Sequence, residues 1–504
     1  MNNIIQNNKS LKKIVLENLF FSEIAGIFSR IGAFIFTLII IRTFIPEDFG
    51  MYSLALAIIL GIMVLSDLGF GTTLTRYFSA SIGKNKEREA RSRFLFLFKW
   101  RILSSFLISL LLFLGAGLIA SFFKKPELMF PLKIGSMYLF LNSILTILFA
   151  ISTSLQKVKF ITWTEFIFQF SRILLIFFLF YFYKSIAGVF IILVLSLLFA
   201  TIFLMCALFF KYPFLIKGEK EPVERRRMLK FSSFIALGSF TIFFYENIDK
   251  LVLGYFLKAE FVGYYAAIFS VVAGISGLLM STSVLLPVFT QLSEERLKQA
   301  FKKSLGFLSI LAFPAAIGMA FIALPLLKIL YGLDYVPGQY GFSLLLTSIF
   351  LSLILLESSF TSMYKVLFNS QEKPKIPSLI NFITAIINVI LNIILISYLI
   401  KINPSYGLIG ASGATFFSRF IGLVFLVIIS HKKLKISPDK NTIIKPLIAS
   451  LVMLLYLFIF KHFITLNIAT GIIMILSAAM IYFLTVFLIK GVVINEIREI
   501  IKKD

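Results

Sequence analysis

Residues 31–70 read "IGAFIFTLIIIRTFIPEDFGMYSLALAIILGIMVLSDLGF". One apolar run ends at a short polar corner around Arg42, Pro46, Glu47 and Asp48, and a second run begins at once and closes on Asp67. A bilayer's hydrocarbon core is ~30 Å thick and takes ~20 apolar residues of helix. Two such runs joined by so short a corner are a helical hairpin across a membrane. Alternating strands of a barrel would be about half as long and far less apolar.

The rest of the chain repeats this texture. Apolar residues make up 59% and charged residues 14%, against ~45–50% and ~25% in soluble domains. Sixty phenylalanines and a mean hydropathy of +0.97 cannot be hidden inside a water-soluble particle of 504 residues. The surplus apolar surface has to face lipid. We therefore expect an all-α integral membrane protein with about fourteen transmembrane helices. They fall near 15–44, 50–74, 94–121, 131–153, 161–183, 187–210, 230–257, 261–289, 303–326, 341–367, 376–400, 407–430, 442–462 and 469–490.

Loop charge sets the orientation. Of the 49 lysines and arginines, thirty-four lie in the termini and even-numbered connections. Eight lie in the odd ones: Lys124, Lys125, Lys133, Lys184, Lys258, Lys328, Lys401 and Lys461. The bias places both termini in the cytoplasm. Because the basic residues sit between apolar segments, the net charge of +25 belongs to loops facing anionic lipid, and no nucleic-acid partner is expected. A lone Cys206 excludes a disulfide framework, and His431 and His462 are too far apart for a metal motif, so no metal site is expected. No P-loop motif is present. The first apolar run is too long for a signal peptide and reads as a retained span.

The chain also repeats itself. "FIPEDFGMYSLALAI" at 44–58 parallels "FLKAEFVGYYAAIFS" at 256–270, with Gly50, Tyr52 and Gly61 falling on Gly263, Tyr265 and Gly274. Parallel repeats of about six helices describe a transporter with two pseudo-symmetric lobes. We expect an N-terminal six-helix lobe at 1–210, a basic cytoplasmic linker at 211–230 and a C-terminal six-helix lobe at 231–435. Two extra helices and a tail follow at 436–504.

Ionisable groups inside spans are costly and so are functional candidates. At 1.5 Å per residue, Arg30, Arg172 and Arg419 fall near mid-membrane. Glu23, Glu246, Asp249, Lys250 and Glu357 lie at intermediate depth. Asp67 and Arg76 lie toward the cytoplasmic end of span two, and Arg42 toward the outer end of span one. Glu165 and Arg172 share a helix face, and a shift of 216 maps them onto Asn381 and Asn388. Those two residues belong to a stripe with Thr384 and Asn392. The expected substrate-binding set is Arg30, Arg172, Lys250, Arg419, Asn381 and Asn388. Glu23, Glu246, Asp249 and Glu357 are the carboxylates expected to couple transport to a proton or sodium ion, and Arg42, Asp67 and Arg76 are gate or motif residues. Some have a plainer alternative: interfacial anchoring for the last three, a neutralising pair for Glu246 and Lys250, and interhelical hydrogen bonding for the asparagines. Arg30, Arg172 and Arg419 are hardest to dismiss, because a guanidinium does not lose its charge.

"IRTFIPEDFGMYSLALAI" with "SDLGFGTTLTRY" resembles the signature of polysaccharide-exporting flippases of the Wzx type, in the multidrug/oligosaccharidyl-lipid/polysaccharide exporter superfamily. "ENIDKLVLGYFLKAEFVGYYAAIFSV", "NSQEKPKIPSLINFITAIINVILNIILI" and "YGLIGASGATFFSR" are similar to its later segments. Of the charged candidates only Arg42, Asp249 and Lys250 fall on motif positions. The resemblance implies a carrier that turns undecaprenyl-pyrophosphate-linked oligosaccharide repeat units to the outer leaflet of the bacterial cytoplasmic membrane, for O-antigen or capsule-type polysaccharide. Its partners would be that glycolipid, membrane lipid, and the polysaccharide polymerase and chain-length machinery. It implies no cofactor beyond proton or sodium coupling. The competing readings are a cation-coupled multidrug exporter or lipid II flippase of the same superfamily, and a membrane glycan polymerase or acyltransferase. An enzyme is disfavoured because no histidine lies at mid-membrane to act as a base.

Overall fold

The computed structural model describes the backbone of residues 2–182, 184–219, 221–276, 282, 285–463 and 467–489. Sixteen α-helices form among these residues, and the expected spans fall on them, save that the middle of the span expected at 261–289 lies outside the described residues. The first seven are α1 (Asn2–Thr43), α2 (Pro46–Asp67), α3 (Phe70–Ile82), α4 (Glu87–Phe122), α5 (Met129–Ser154), α6 (Val158–Phe182) and α7 (Ile186–Lys211). The next five are α8 (Arg225–Phe256), α9 (Ala259–Ser276), α10 (Leu285–Thr290), α11 (Glu294–Tyr331) and α12 (Gly341–Ser370). The last four are α13 (Lys375–Leu399), α14 (Tyr406–Leu434), α15 (Lys440–Phe463) and α16 (Ile468–Leu488).

Twelve of these are long and apolar enough to cross a membrane. The protein is a multi-pass membrane protein. The expected count of fourteen is approximate: the twelve are counted over the described residues alone, and α9 is among the shorter apolar helices.

Span two differs from its expectation. It is two helices, broken at Leu68 and Gly69, which both adopt left-handed backbone (φ 44° and 70°). The break is held from outside, because the Ser232 hydroxyl donates to the Leu68 carbonyl at 2.7 Å. A Cβ on Gly69 would meet the Ser232 carbonyl oxygen at 2.5 Å. Glycine is the residue that tolerates both the dihedral and the approach.

The chain forms two compact units, residues 1–43 with 48–247, and 44–47 with 248–504. The first unit's core gathers Phe78, Phe94, Leu97, Leu148, Ile151, Leu197 and Leu204. The second unit's main core gathers Phe301, Leu305, Met363, Tyr364, Leu367, Phe368 and Leu426. Serines buried in these helices donate to carbonyls one turn back, as Ser152 does to Leu148 and Ser309 to Leu305. That satisfies a hydroxyl where no water is available. The two C-terminal helices belong to the second unit, where Tyr482 of α16 donates to the Ile310 carbonyl of α11 at 2.8 Å.

Candidate functional site

Each unit holds a cluster of polar side chains inside apolar helix packing. In the first unit the cluster centres on Arg172 of α6, only 7% exposed. Its guanidinium lies over the rings of Phe36 at 4.6 Å and Phe168 at 5.2 Å, so its faces are covered by π-systems that favour a cation. Its Nε and Nη2 donors find no acceptor among the described residues. Tyr52, Tyr138 and Glu165 are the ionisable groups within its electrostatic reach.

Glu165 shares the helix face, as its spacing predicts, but forms no ion pair with Arg172 among the described residues. It instead accepts from Gln169 Nε2 at 3.3 Å. Gln169 is held against α1, where a Cβ on Gly32 would come within 2.6 Å of its Oε1. Glycine at that point lets α1 close on α6 and bring Phe36 to the guanidinium.

The expected gate residues part company. Asp67 pairs with Arg101 of α4 at 2.7 Å. Arg101, 2% exposed, also donates to the Ser143 carbonyl at 3.3 Å and the Thr146 hydroxyl at 3.0 Å. This residue was missed from sequence, although a cation in a run as apolar as α4 demands a buried counter-charge. Arg76 is exposed and stacks at 4.5 Å over Phe231. Arg42, Arg30 and Glu23 are exposed side chains of α1.

In the second unit Asp249 of α8 is 4% exposed. Its Oδ2 accepts from the Tyr265 hydroxyl at 2.5 Å. Its Oδ1 accepts from the Thr415 hydroxyl at 2.5 Å and Asn392 Nδ2 at 2.9 Å. Asn388 Nδ2 in turn donates to Thr415 and Ser418, both at 3.0 Å. The stripe on α13 therefore faces inward as its spacing predicts, with Thr384, Asn388 and Asn392 buried and Asn381 half-buried. Asn392 Oδ1 has no donor among the described residues. The result is one carboxylate held by two hydroxyls and an amide nitrogen from three other helices.

Glu357 of α12 is 3% exposed; its Oε1 accepts from the Thr361 hydroxyl at 2.5 Å, and its Oε2 has no partner among the described residues. Arg419 of α14 lies within electrostatic reach of both carboxylates, Asp249 and Glu357. Lys250 is half-buried, with its ammonium 5.3 Å from the Phe269 ring. The Glu246 side chain lies outside the described residues. No group of three or more metal-ligating His, Cys, Asp or Glu occurs among the described residues.

Chemically, the first unit offers a dry guanidinium with two uncommitted donors, suited to an oxyanion. The second offers a carboxylate in a hydrogen-bonded cage, suited to a proton or a hard monovalent cation.

Comparison with known proteins places these clusters in context. The sequence pattern of the polysaccharide biosynthesis protein family matches residues 39–338. An uncharacterized membrane protein of Methanocaldococcus jannaschii is 24% identical over 497 residues, covering 91% of this chain and 92% of its own. A probable low-salt glycan biosynthesis flippase of Haloferax volcanii is 23% identical over 252 residues, 48% of this chain and 50% of that one. Among solved structures, lipid II flippase MurJ in an inward closed conformation superposes with a TM-score of 0.73 at 17% identity, covering 93% of this chain and 98% of MurJ.

Proposed function

The chain belongs to the polysaccharide biosynthesis protein family, and from that premise we propose that it is a carrier moving a polyprenyl-pyrophosphate-linked oligosaccharide from the cytoplasmic to the outer leaflet by alternating access. The observation that carries this reading is Arg172, a buried guanidinium with two uncommitted donors. Such a group cannot shed its charge by losing a proton. It is stable in apolar surroundings when an anion can come to it, and a diphosphate or acidic sugar offers the bidentate partner. Arg419, Arg30 and Lys250 are the further cations of the path, and Asn381 and Asn388 line its polar face. A glycan flippase among the relatives and a lipid flippase among the similar folds agree with this reading. Both sequence relatives come from archaea, so neither a bacterial membrane nor an undecaprenyl carrier follows, and the carrier lipid is left general.

Asp249 is the coupling carboxylate in this account. Its cage offers oxygens from Tyr265, Thr415 and Asn392 to a bound proton or sodium ion, with Glu357, Glu23 and Glu246 as secondary candidates. The termini and the loop at 211–230 face the cytoplasm. Polymerase and chain-length proteins would then take up the glycolipid on the far side.

Reconstitution tests the reading. Purified protein in liposomes with a labelled polyprenyl-diphosphate oligosaccharide should transfer label between leaflets without altering it. Covalent change in the glycolipid, or no transfer above empty liposomes, would overturn it.

A further inference from the structure

Helix α14 carries two different faces side by side. Thr415 and Ser418 belong to the polar network around Asp249. Phe416, Phe420, Leu423 and Val427, spaced by four, three and four residues, form one wall of an apolar cavity of about 240 Å³. Phe313 of α11, Phe360 of α12 and Pro438, just past α14, line it as well. Glu357 also lines this cavity.

Arg419 lies along α14 between Ser418 of the polar face and Phe420 of the apolar one. Its charge reaches Asp249 and Tyr265 on the polar side, and Glu357 and Lys365 on the cavity side. An apolar cavity alone would accept any hydrocarbon. A cation within charge range of Glu357, one of its lining residues, selects a molecule whose anionic head is joined directly to an apolar chain. Lys365 adds a second positive charge there, while Asp249 and Glu357 temper both.

The volume speaks for a single chain. An apolar cavity of ~150 Å³ holds benzene. In the same proportion this one holds roughly ten carbons, about two five-carbon isoprene units. A two-chained phospholipid would leave one chain unhoused.

We propose that this cavity seats the first isoprene units of the polyprenyl carrier, with Arg419 holding the diphosphate to which they are attached. The proposal rests on the carrier reading above and adds a place for the lipid chain within the second unit.

Binding to the purified full chain in detergent tests it, with farnesyl diphosphate and inorganic pyrophosphate as probes. Farnesyl diphosphate should bind wild type at least about tenfold more tightly than pyrophosphate. Leu423→Trp, which fills the cavity, should erase that preference and leave pyrophosphate affinity as it was. Val427→Phe should do the same, and guards against a folding defect peculiar to the larger substitution. Arg419→Gln should weaken both probes. If both cavity-filling variants keep the preference, the chain sits elsewhere and this inference fails while the carrier reading stands. If neither probe binds wild type, the carrier reading falls, and the inference with it. If phosphatidylglycerol displaces farnesyl diphosphate at equal concentration, the site takes ordinary anionic lipid and the commitment to the polyprenyl carrier is wrong.

Discussion

The Tyr265 hydroxyl donates to Asp249 Oδ2 across 2.5 Å, whereas its counterpart in the other repeat, Tyr52, lies within electrostatic reach of Arg172. One repeated position thus serves a carboxylate in one unit and a guanidinium in the other.

The first prediction concerns that carboxylate. Tyr265→Phe leaves Asp249 with the donors of Thr415 and Asn392, so it should cost about 1.5–3 kcal/mol of stability, the range for a hydrogen bond to a charged group. Thermal unfolding in detergent checks this, and an unchanged midpoint contradicts it. Asp249→Asn should make transport indifferent to proton and sodium gradients. A variant still driven by either gradient would remove Asp249 from the coupling role.

The second concerns the break in span two. Gly69→Ala puts a Cβ into a left-handed residue and against the Ser232 carbonyl oxygen at 2.5 Å. The dihedral alone costs roughly 1–2 kcal/mol, and the contact adds to it. Ser232→Ala loses one hydrogen bond and should cost about 1 kcal/mol. The order of the two unfolding midpoints is the readout: a Gly69→Ala protein as stable as Ser232→Ala would mean that the break relaxes freely.

The third concerns Asp67 and Arg101. A buried guanidinium stripped of its partner is costly, but the Asp67 side chain is 36% exposed, so solvent screens part of the interaction. A double-mutant cycle with Asp67→Ala and Arg101→Leu should give a coupling energy of about 1–2 kcal/mol. Additive effects would show that the pair is incidental.

Much of this fold is legible in the sequence, for a physical reason. A bilayer demands ~20 apolar residues per crossing, and that requirement writes α4, α7 and α13 into the chain as unbroken runs. The α13 stripe is legible as well, because helical spacing puts Thr384, Asn388 and Asn392 on one face. Its partners are not. Thr415, Ser418 and Asp249 come from other helices, and contacts between helices leave no period in the sequence. The same limit hid Arg101, whose partner Asp67 lies on a different helix. Glu165 shows the opposite failure. Its spacing from Arg172 is right for a shared face, yet the closer Gln169, one turn away, takes the carboxylate. The break at Leu68 and Gly69 is fixed by Ser232, far along the chain, so the local pattern reads through it as one span.

The fourth prediction is topological. On a Cys206→Ser background, Lys217→Cys should be shielded from an impermeant thiol reagent applied outside intact cells, and Gln339→Cys should react. Both positions are exposed on the protein, so burial does not explain a failure to label. The reverse pattern would invert the orientation of every helix.

Arg172 bears the central claim, and glycolipid transport by its variants tests it most directly. Truncating one partner of a desolvated charge pair typically costs 2–5 kcal/mol, so Arg172→Ala should lower transport more than about tenfold while the protein accumulates in the membrane at its normal level. Arg172→Lys keeps the charge but not the bidentate fork, and should restore only part of the rate. Lys184→Ala, exposed in the connection between α6 and α7, should behave as wild type. An Arg172→Ala protein that accumulates normally and moves the glycolipid at the wild-type rate would contradict the account, and would leave Arg172 as a packing residue between Phe36 and Phe168.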